Sequence, residues 1–152
     1  MTGLELRGWL VDARFPPDTV ATGYTATLAN GMTALMHAAR LGDVEALRAL
    51  LKRNADVAAR NADGNGPLWF ACFAECSQCV TELIDAGAPL DNQNNDGASA
   101  LLYCASAGKS EMLRLLLRAG ADTTLTSVDG FSALDSASTR PCLELLRQAE
   151  AR

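Results

Sequence analysis

The chain has 152 residues, 49% of them hydrophobic and 20% charged, with a formal net charge of −5. That length suits one domain, and the acidic balance excludes nucleic acid as the main partner, since phosphate recognition needs a basic face. No apolar run is long enough to span a membrane, and Trp9-Leu10-Val11, approached through Glu5, is too short for a secretory signal.

Residues 1–29 are expected to carry one helix, over residues 3–13. Leu10-Val11-Asp12-Ala13 followed by Pro16 echoes Leu83-Ile84-Asp85-Ala86 followed by Pro89, deep inside the chain. The connection from Pro16 to Asn30 comes next and carries Tyr24. From Leu10 to Leu35 is 25 residues against 18 from Leu83 to Leu101, so this connection is seven residues longer than its counterpart. Long connections in compact folds are often functional; the plainer alternative is a disordered leader.

From Asn30 onward the sequence repeats every 33 residues. Asn30-Gly31 is followed by Asp63-Gly64, Asp96-Gly97 and Asp129-Gly130. Leu35, Leu68, Leu101 and Leu134 keep the same step, as do Ala38, Ala71, Cys104 and Ala137, and Leu50-Leu51, Leu83-Ile84 and Leu116-Leu117. A fixed period of this length marks a solenoid of stacked supersecondary units. It divides the chain into full units at 30–62, 63–95 and 96–128, with a half unit at 1–29 and a partial closing unit at 129–152.

Within each unit the order of signals is the same. The Gly of the turn takes positive φ at no steric cost. Thr33, Ser99 and Ser132 stand where a hydroxyl caps a short Ala-rich helix, and Gly66-Pro67 puts proline at the first helical position instead. A break near Gly42 and Gly108 leads to a second helix, Val44 to Lys52 in the first unit, whose Ala46, Leu47, Leu50 and Leu51 fall at helical spacing. Asn54, Gly87 and Gly120 end the second helices as left-handed caps. In the closing unit the second helix is expected to be cut short after Pro141, at Cys142 to Gln148.

This order of turn, short helix, break, longer helix and Gly-Ala-Asp resembles the ankyrin repeat. The resemblance rests on Gly31-Met32-Thr33-Ala34-Leu35 with Ala38-Ala39, and on Leu116-Leu117 with Gly120-Ala121-Asp122, and covers residues 30 to about 148. The family's histidine is replaced throughout, by Met36, Trp69, Leu102 and Asp135. The resemblance implies an all-α ankyrin-repeat solenoid with β-hairpin-like turns projecting along one edge. It also implies a non-catalytic module that binds a protein on its concave face, through turn tips and the ends of the first helices. Carried onto this chain, the partner-binding residues are Met32, Arg40, Leu41, Asn65, Trp69, Phe73, Ser106 and Phe131. Such places are not needed for packing between units, so apolar residues there are expected to be exposed. Trp69 is divided between surface and core, whereas Phe70 and Tyr103 are assigned to the core.

Charge is unevenly spread. Residues 30–62 carry five basic and three acidic residues, whereas 63–95 carry Asp63, Glu75, Glu82, Asp85 and Asp91 with no basic residue. An acidic middle suits a partner with a basic patch, by steering; the alternative is a solvated outer face. Eleven arginines against two lysines point to a bacterial source, and five cysteines without a disulfide framework to a reducing cytoplasm. A monomer or weak dimer is expected, with no cofactor.

The competing class uses Cys72, Cys76 and Cys79 as a metal or redox site, since thiolates are the usual iron–sulfur ligands. In the repeat frame Cys72 replaces Ala39 and Cys79 replaces Ala46, both inward positions where a thiol acts as a small hydrophobe, and Cys104 is the only credible fourth ligand. Nucleophilic catalysis lacks a motif: His37 is the only histidine, and no phosphate-cradling loop or paired carboxylates accompany it.

Overall fold

A computed structural model describes residues 1–151. Among them the regular structure is helical: α1 (Gly3–Asp12), α2 (Ala34–Leu41), α3 (Val44–Lys52), α4 (Pro67–Phe73), α5 (Ser77–Asp85), α6 (Ala100–Ala107), α7 (Ser110–Arg118), α8 (Ala133–Ser136) and α9 (Arg140–Glu150). Two layers result. Helices α2, α4, α6 and α8 pack in series as an inner row, and α1, α3, α5, α7 and α9 in series as an outer row.

The caps form where the hydroxyls stand. Thr33, Ser99 and Ser132 each accept a bond from the amide three residues on, and Pro67 opens α4 behind Gly66. Asn54, Gly87 and Gly120 take the left-handed conformation after α3, α5 and α7, with φ of 59°, 88° and 94°. The inner row is close-packed because its facing residues are small: Ala38, Ala39, Ala71, Cys72, Cys104 and Ala105 are all fully buried. Behind them Leu47 and Leu50, Val80 and Leu83, and Leu113 and Leu116 fill the space between rows, also fully buried. Truncating one such leucine to alanine costs about 2–5 kcal/mol.

The turns are joined along the stack by backbone bonds. The amide of Ala62 donates to the carbonyl of Asn30 at 2.9 Å, that of Asn95 to Asp63 at 3.0 Å, and that of Val128 to Asp96 at 2.9 Å. Each turn is closed internally. The Asn61 side chain accepts the amides of Asp63 and Asn65, and the Asn94 side chain those of Asp96 and Ala98. Arg60 reaches from the Gly64 carbonyl to that of Gln93, and Gln93 repeats the reach to Thr126. The hairpin character is slight, being single bridges at Thr27–Thr33 and Thr126–Ser132.

At the leading end, α1 buries Leu6 and Leu10. Trp9 Nε1 donates to Asp43 Oδ2 at 3.0 Å while Asp43 Oδ1 caps α3, so one carboxylate ties α1 to the stack. The long connection is folded rather than a loose leader. Phe15, Thr19 and Tyr24 are buried, and the Leu28 amide meets the Met32 carbonyl at 2.8 Å.

The closing unit departs from expectation. Its second helix is not cut short: α9 has 11 residues, more than the 9 of α7. The shortened element is α8, with 4 residues. It ends at Ser136, where Ala137 turns to extended backbone and Thr139 then caps α9 around Pro141.

These contacts lead to three predictions. A Cβ on Gly97 would stand 2.7 Å from the Val128 nitrogen, whereas one on Gly130, at a similar φ, would meet nothing within 4 Å. Both substitutions to alanine incur the left-handed cost of about 1–2 kcal/mol, so Gly97→Ala should lower the melting temperature well beyond Gly130→Ala. Glu75 stands one step from Gly42 and Gly108 and is forced to φ 55°. Its pairing with Lys109, at 3.9 Å and 64% exposed, contributes little. Glu75→Gly should therefore stabilise the fold by about 1 kcal/mol in denaturant titrations. His37 lies edge-on to Trp9 and Phe15 with a buried, unpartnered Nδ1. Burial, and then the charge of Arg40, hold its pKa below the usual value. The unfolded chain takes up a proton as pH falls through about 6.5 and the folded chain resists, so stability should drop below that pH. A His37→Gln variant melted at pH 7.5 and 5.5 should lose most of that difference.

Candidate functional site

The ends of the inner helices form an exposed row at the 33-residue step: Arg40 on α2, Phe73 on α4, Ser106 on α6 and Thr139 before α9. Leu41 beside Arg40 is 57% exposed and Phe73 is 48% exposed, large apolar surfaces that folding leaves in water. Left-handed residues hold both at the rim. Gly42 turns the chain sharply after Leu41, and the strained Glu75 does so after Phe73.

Trp69 lies one helical turn before Phe73 and is only partly buried. Its ring stacks on Phe73 at 5.7 Å with 13° between planes, meets Tyr103 at 4.7 Å and sets its edge to Phe70 at 5.0 Å. Phe70 is buried, as its core assignment requires, while Tyr103 is only partly so. Lys109 closes the group. Its Nζ sits 5.7 Å from the Phe73 ring and 6.0 Å from the Tyr103 ring, and donates to the Phe73 carbonyl at 2.9 Å. Burial raises the Tyr103 pKa, so its hydroxyl stays a donor. The result is a rigid aromatic platform with a cation at its edge and Glu75 beyond. Sequence reasoning misses Lys109, because it stands 36 residues from Phe73. The one available signal is its register, which it shares with Asp43 and Cys76.

Two of the sequence-derived positions do not belong to this surface. Met32 and Asn65, expected at exposed tips, are each 7% exposed. The cause is stacking of turn on turn: the Asn65 side chain accepts a bond from Asn94 of the next turn at 3.0 Å, and the Asn65 amide is spent on Asn61. Phe131, in the same register, is 56% exposed because no further turn packs on it, and Val128 beside it is 71% exposed. Phe131 is thus at the end of the stack, apart from the Trp69 platform.

The acidic residues of 63–95 are dispersed and mostly engaged. Asp63 accepts from Asn30, Glu82 pairs with Arg48 at 2.7 Å, Glu75 faces Lys109, and Asp91 accepts the Asp122 amide. Asp85 is exposed on the outer row.

The cysteines divide into two pairs instead of forming the trio expected of a metal ligand set. Cys72 hydrogen-bonds Cys104 of the next unit, and that bond, with burial, pushes the Cys104 thiol's pKa up. Cys76 and Cys79 face each other across the first turn of α5. Among the described residues no three His, Cys, Asp or Glu side chains converge to hold a metal ion. The metal form of the cysteine reading fails on this geometry, because Cys72 points along the inner row while Cys76 sits in the break between α4 and α5.

Concavities offer little to a buried small molecule. The space beside Trp69, Asn65 and Pro89 measures about 20 Å³, room for water alone. A wider cleft of about 470 Å³, lined by Tyr24, Thr33, Leu35, Ala55 and Arg60, lies between the long connection and the turn after it. Tyr24, Asp56 and Arg60 all line it, and the small space beside Trp69 is its counterpart one repeat on, with Gly66, Leu68 and Pro89 where this cleft has Thr33, Leu35 and Asp56. No helix among the described residues is long and apolar enough to cross a membrane.

Comparison with known proteins agrees with the architecture. No curated protein matches the chain closely enough to count as a relative. A family model described as ankyrin repeats (3 copies) matches residues 9–94 and again 73–152, and so runs across nearly the whole chain. With its inner row, outer row and stacked turns, this chain belongs to the ankyrin-repeat family, whose repeats are generally protein–protein interaction modules and typically non-catalytic.

Proposed function

We propose that this protein is a non-catalytic adaptor or dedicated regulator that holds one protein partner on its concave face. The observation that carries the reading is the Trp69–Phe73–Tyr103 platform. It is an aromatic group partly open to water, with Phe73 at its exposed edge, preorganised by stacking, with Lys109 bonded across it. Aromatic and arginine anchors dominate interface energetics, and rigid ones lose little entropy on binding. Arg40, Leu41, Phe73 and Ser106 form the contact row in this reading, with Trp69 as its base and Phe131 as a separate contact at the end of the stack. Residues 1–29 and 129–152 serve as caps for the units at 30–62, 63–95 and 96–128.

The partner suited to this surface presents apolar side chains to the platform and basic groups toward residues 63–95. Since four of the five carboxylates there already have partners within the chain, their part is long-range attraction rather than paired contact. The five thiols are unpaired by disulfides, which fits a reducing cytoplasm, and the protein acts as a monomer or weak dimer.

Affinity capture from native lysate tests the reading, comparing wild type with an Arg40→Ala, Phe73→Ala double variant. One protein should be retained by wild type and lost by the variant, with affinity down about 30-fold or more if one anchor contributes about 2 kcal/mol. Because Arg40 and Phe73 are exposed, the variant should melt within a few degrees of wild type. Equal retention by both, with the fold intact, would remove this row from the interface.

A further inference from the structure

The repeat register gives the N-terminus of the outer helix three different residues: Asp43 before α3, Cys76 before α5 and Lys109 before α7. Asp43 caps through its carboxylate, and Lys109 makes no side-chain cap. Cys76 caps through sulfur, its Sγ accepting the Cys79 amide at 3.2 Å. Three residues on, the register has Ala46 and Met112, but here Cys79. The Cys79 Sγ turns back toward the cap and stands 2.6 Å from the Cys76 Sγ, the two unbridged sulfurs in direct contact.

This is a Cys-x-x-Cys pair laid across the first turn of a helix, in which burial, and then the contact with Cys76, hold the Cys79 thiol above its usual pKa, so the outer sulfur is the one open to exchange. The two sulfurs are in different situations. Cys76 is partly exposed in the break after α4, next to the strained Glu75, packed on the edge of the core with the Gly42 carbonyl 4.0 Å from its sulfur. Cys79 is fully buried behind it. Access therefore decides the order: a reagent from solvent meets Cys76 first, and Cys79 is placed to attack whatever forms there. The other pair, Cys72 and Cys104, is fully buried between inner helices, where no reagent reaches it without opening the stack. Cys142 is buried as well.

We infer that Cys76 and Cys79 form a reversible dithiol–disulfide site whose substrate class is the low-molecular-weight disulfide. In the first step the Cys76 sulfur, having given up its proton to solvent, attacks one sulfur of the small disulfide. The old S–S bond breaks, one small thiolate leaves, and a mixed disulfide forms on Cys76. In the second step the buried Cys79 thiol attacks the Cys76 sulfur, and its proton passes to the second small thiolate as that group is expelled. The protein dithiol is oxidised by two electrons, the small disulfide is reduced by two, and the two protons end on the two leaving thiolates. A bridge closed over four residues and lying against solvent on one side is of the labile kind, reopened by excess small thiol.

Incubation of the full chain with glutathione disulfide, followed by quenching in acid, alkylation in denaturant and peptide mass mapping, tests this. Wild type should lose two of its five alkylatable thiols and yield a peptide with Cys76 bridged to Cys79, restored by reduced glutathione. Cys79→Ser should stop at the first step and keep one glutathione on Cys76, and Cys76→Ser should give no bridge. The inference is overturned if wild type accumulates the Cys76 adduct without closing the bridge, if the Cys72–Cys104 pair oxidises first, or if nothing reacts while the chain remains folded. The wild-type measurement needs no variant to fold and no partner to bind. Its failure is thus separate from failure of the partner-binding reading.

Discussion

Registration of each turn on the one before it is the constraint on which the rest of this molecule depends. The backbone bonds from Ala62, Asn95 and Val128 to the carbonyls 32 residues earlier fix the spacing of the edge. At that spacing the inner helices come so close that only small side chains fit between them, which is why Ala71, Cys72, Cys104 and Ala105 stand there without exposure. The same spacing lets the turns touch. Glycine at 97 is then required twice over, for its positive φ and for the 2.7 Å that a Cβ would leave to Val128. Where the series stops, the requirement stops: Gly130 faces open space, and Val128 and Phe131 lie in water.

A scaffold of this kind separates stability from recognition. The apolar residues between the rows hold it together, and they recur because every unit meets the same neighbours. Residues at the ends of the inner helices lie open to solvent and are not required to fill the space between rows, so they are free to differ: Arg40, Phe73 and Ser106 share a place and nothing else. Function on such a scaffold is written in the differences from unit to unit. The largest differences here fall in residues 63–95, which hold the Trp69 platform, the strained Glu75 and the Cys76–Cys79 pair within one short stretch.

Much of this is legible in the sequence because repetition samples the same local rules several times. Thr33, Ser99 and Ser132 announce their caps, and Asn54, Gly87 and Gly120 announce left-handed ends, without reference to tertiary structure. The exposure of Phe73 and Leu41 is legible too, since both occupy places the stack does not use. Met32 and Asn65 defeat such reading because their burial comes from the next turn, a contact that no single unit reveals. The pairing of Cys72 with Cys104, and the placing of Lys109 over Phe73, likewise depend on how far one unit is shifted against the next. The shortening falls on α8 rather than α9, because Pro141 opens a helix at its second position instead of ending one.

The turn-to-turn bonds have a mechanical side. They run along the stack, one between each pair of successive turns, so tension applied to the two ends loads them in series rather than together. The strength of the edge under pull is therefore that of a single junction, however many units are added. Yielding should begin at whichever junction has the fewest side-chain bonds beside its backbone bond. The first junction has the Asn30–Asp63 bond alone at its tip, while the second is doubled by Arg60, Asn92, Asn94 and Asn95. The array is thus stiffest in its middle, under the aromatic platform, and gives way toward its ends.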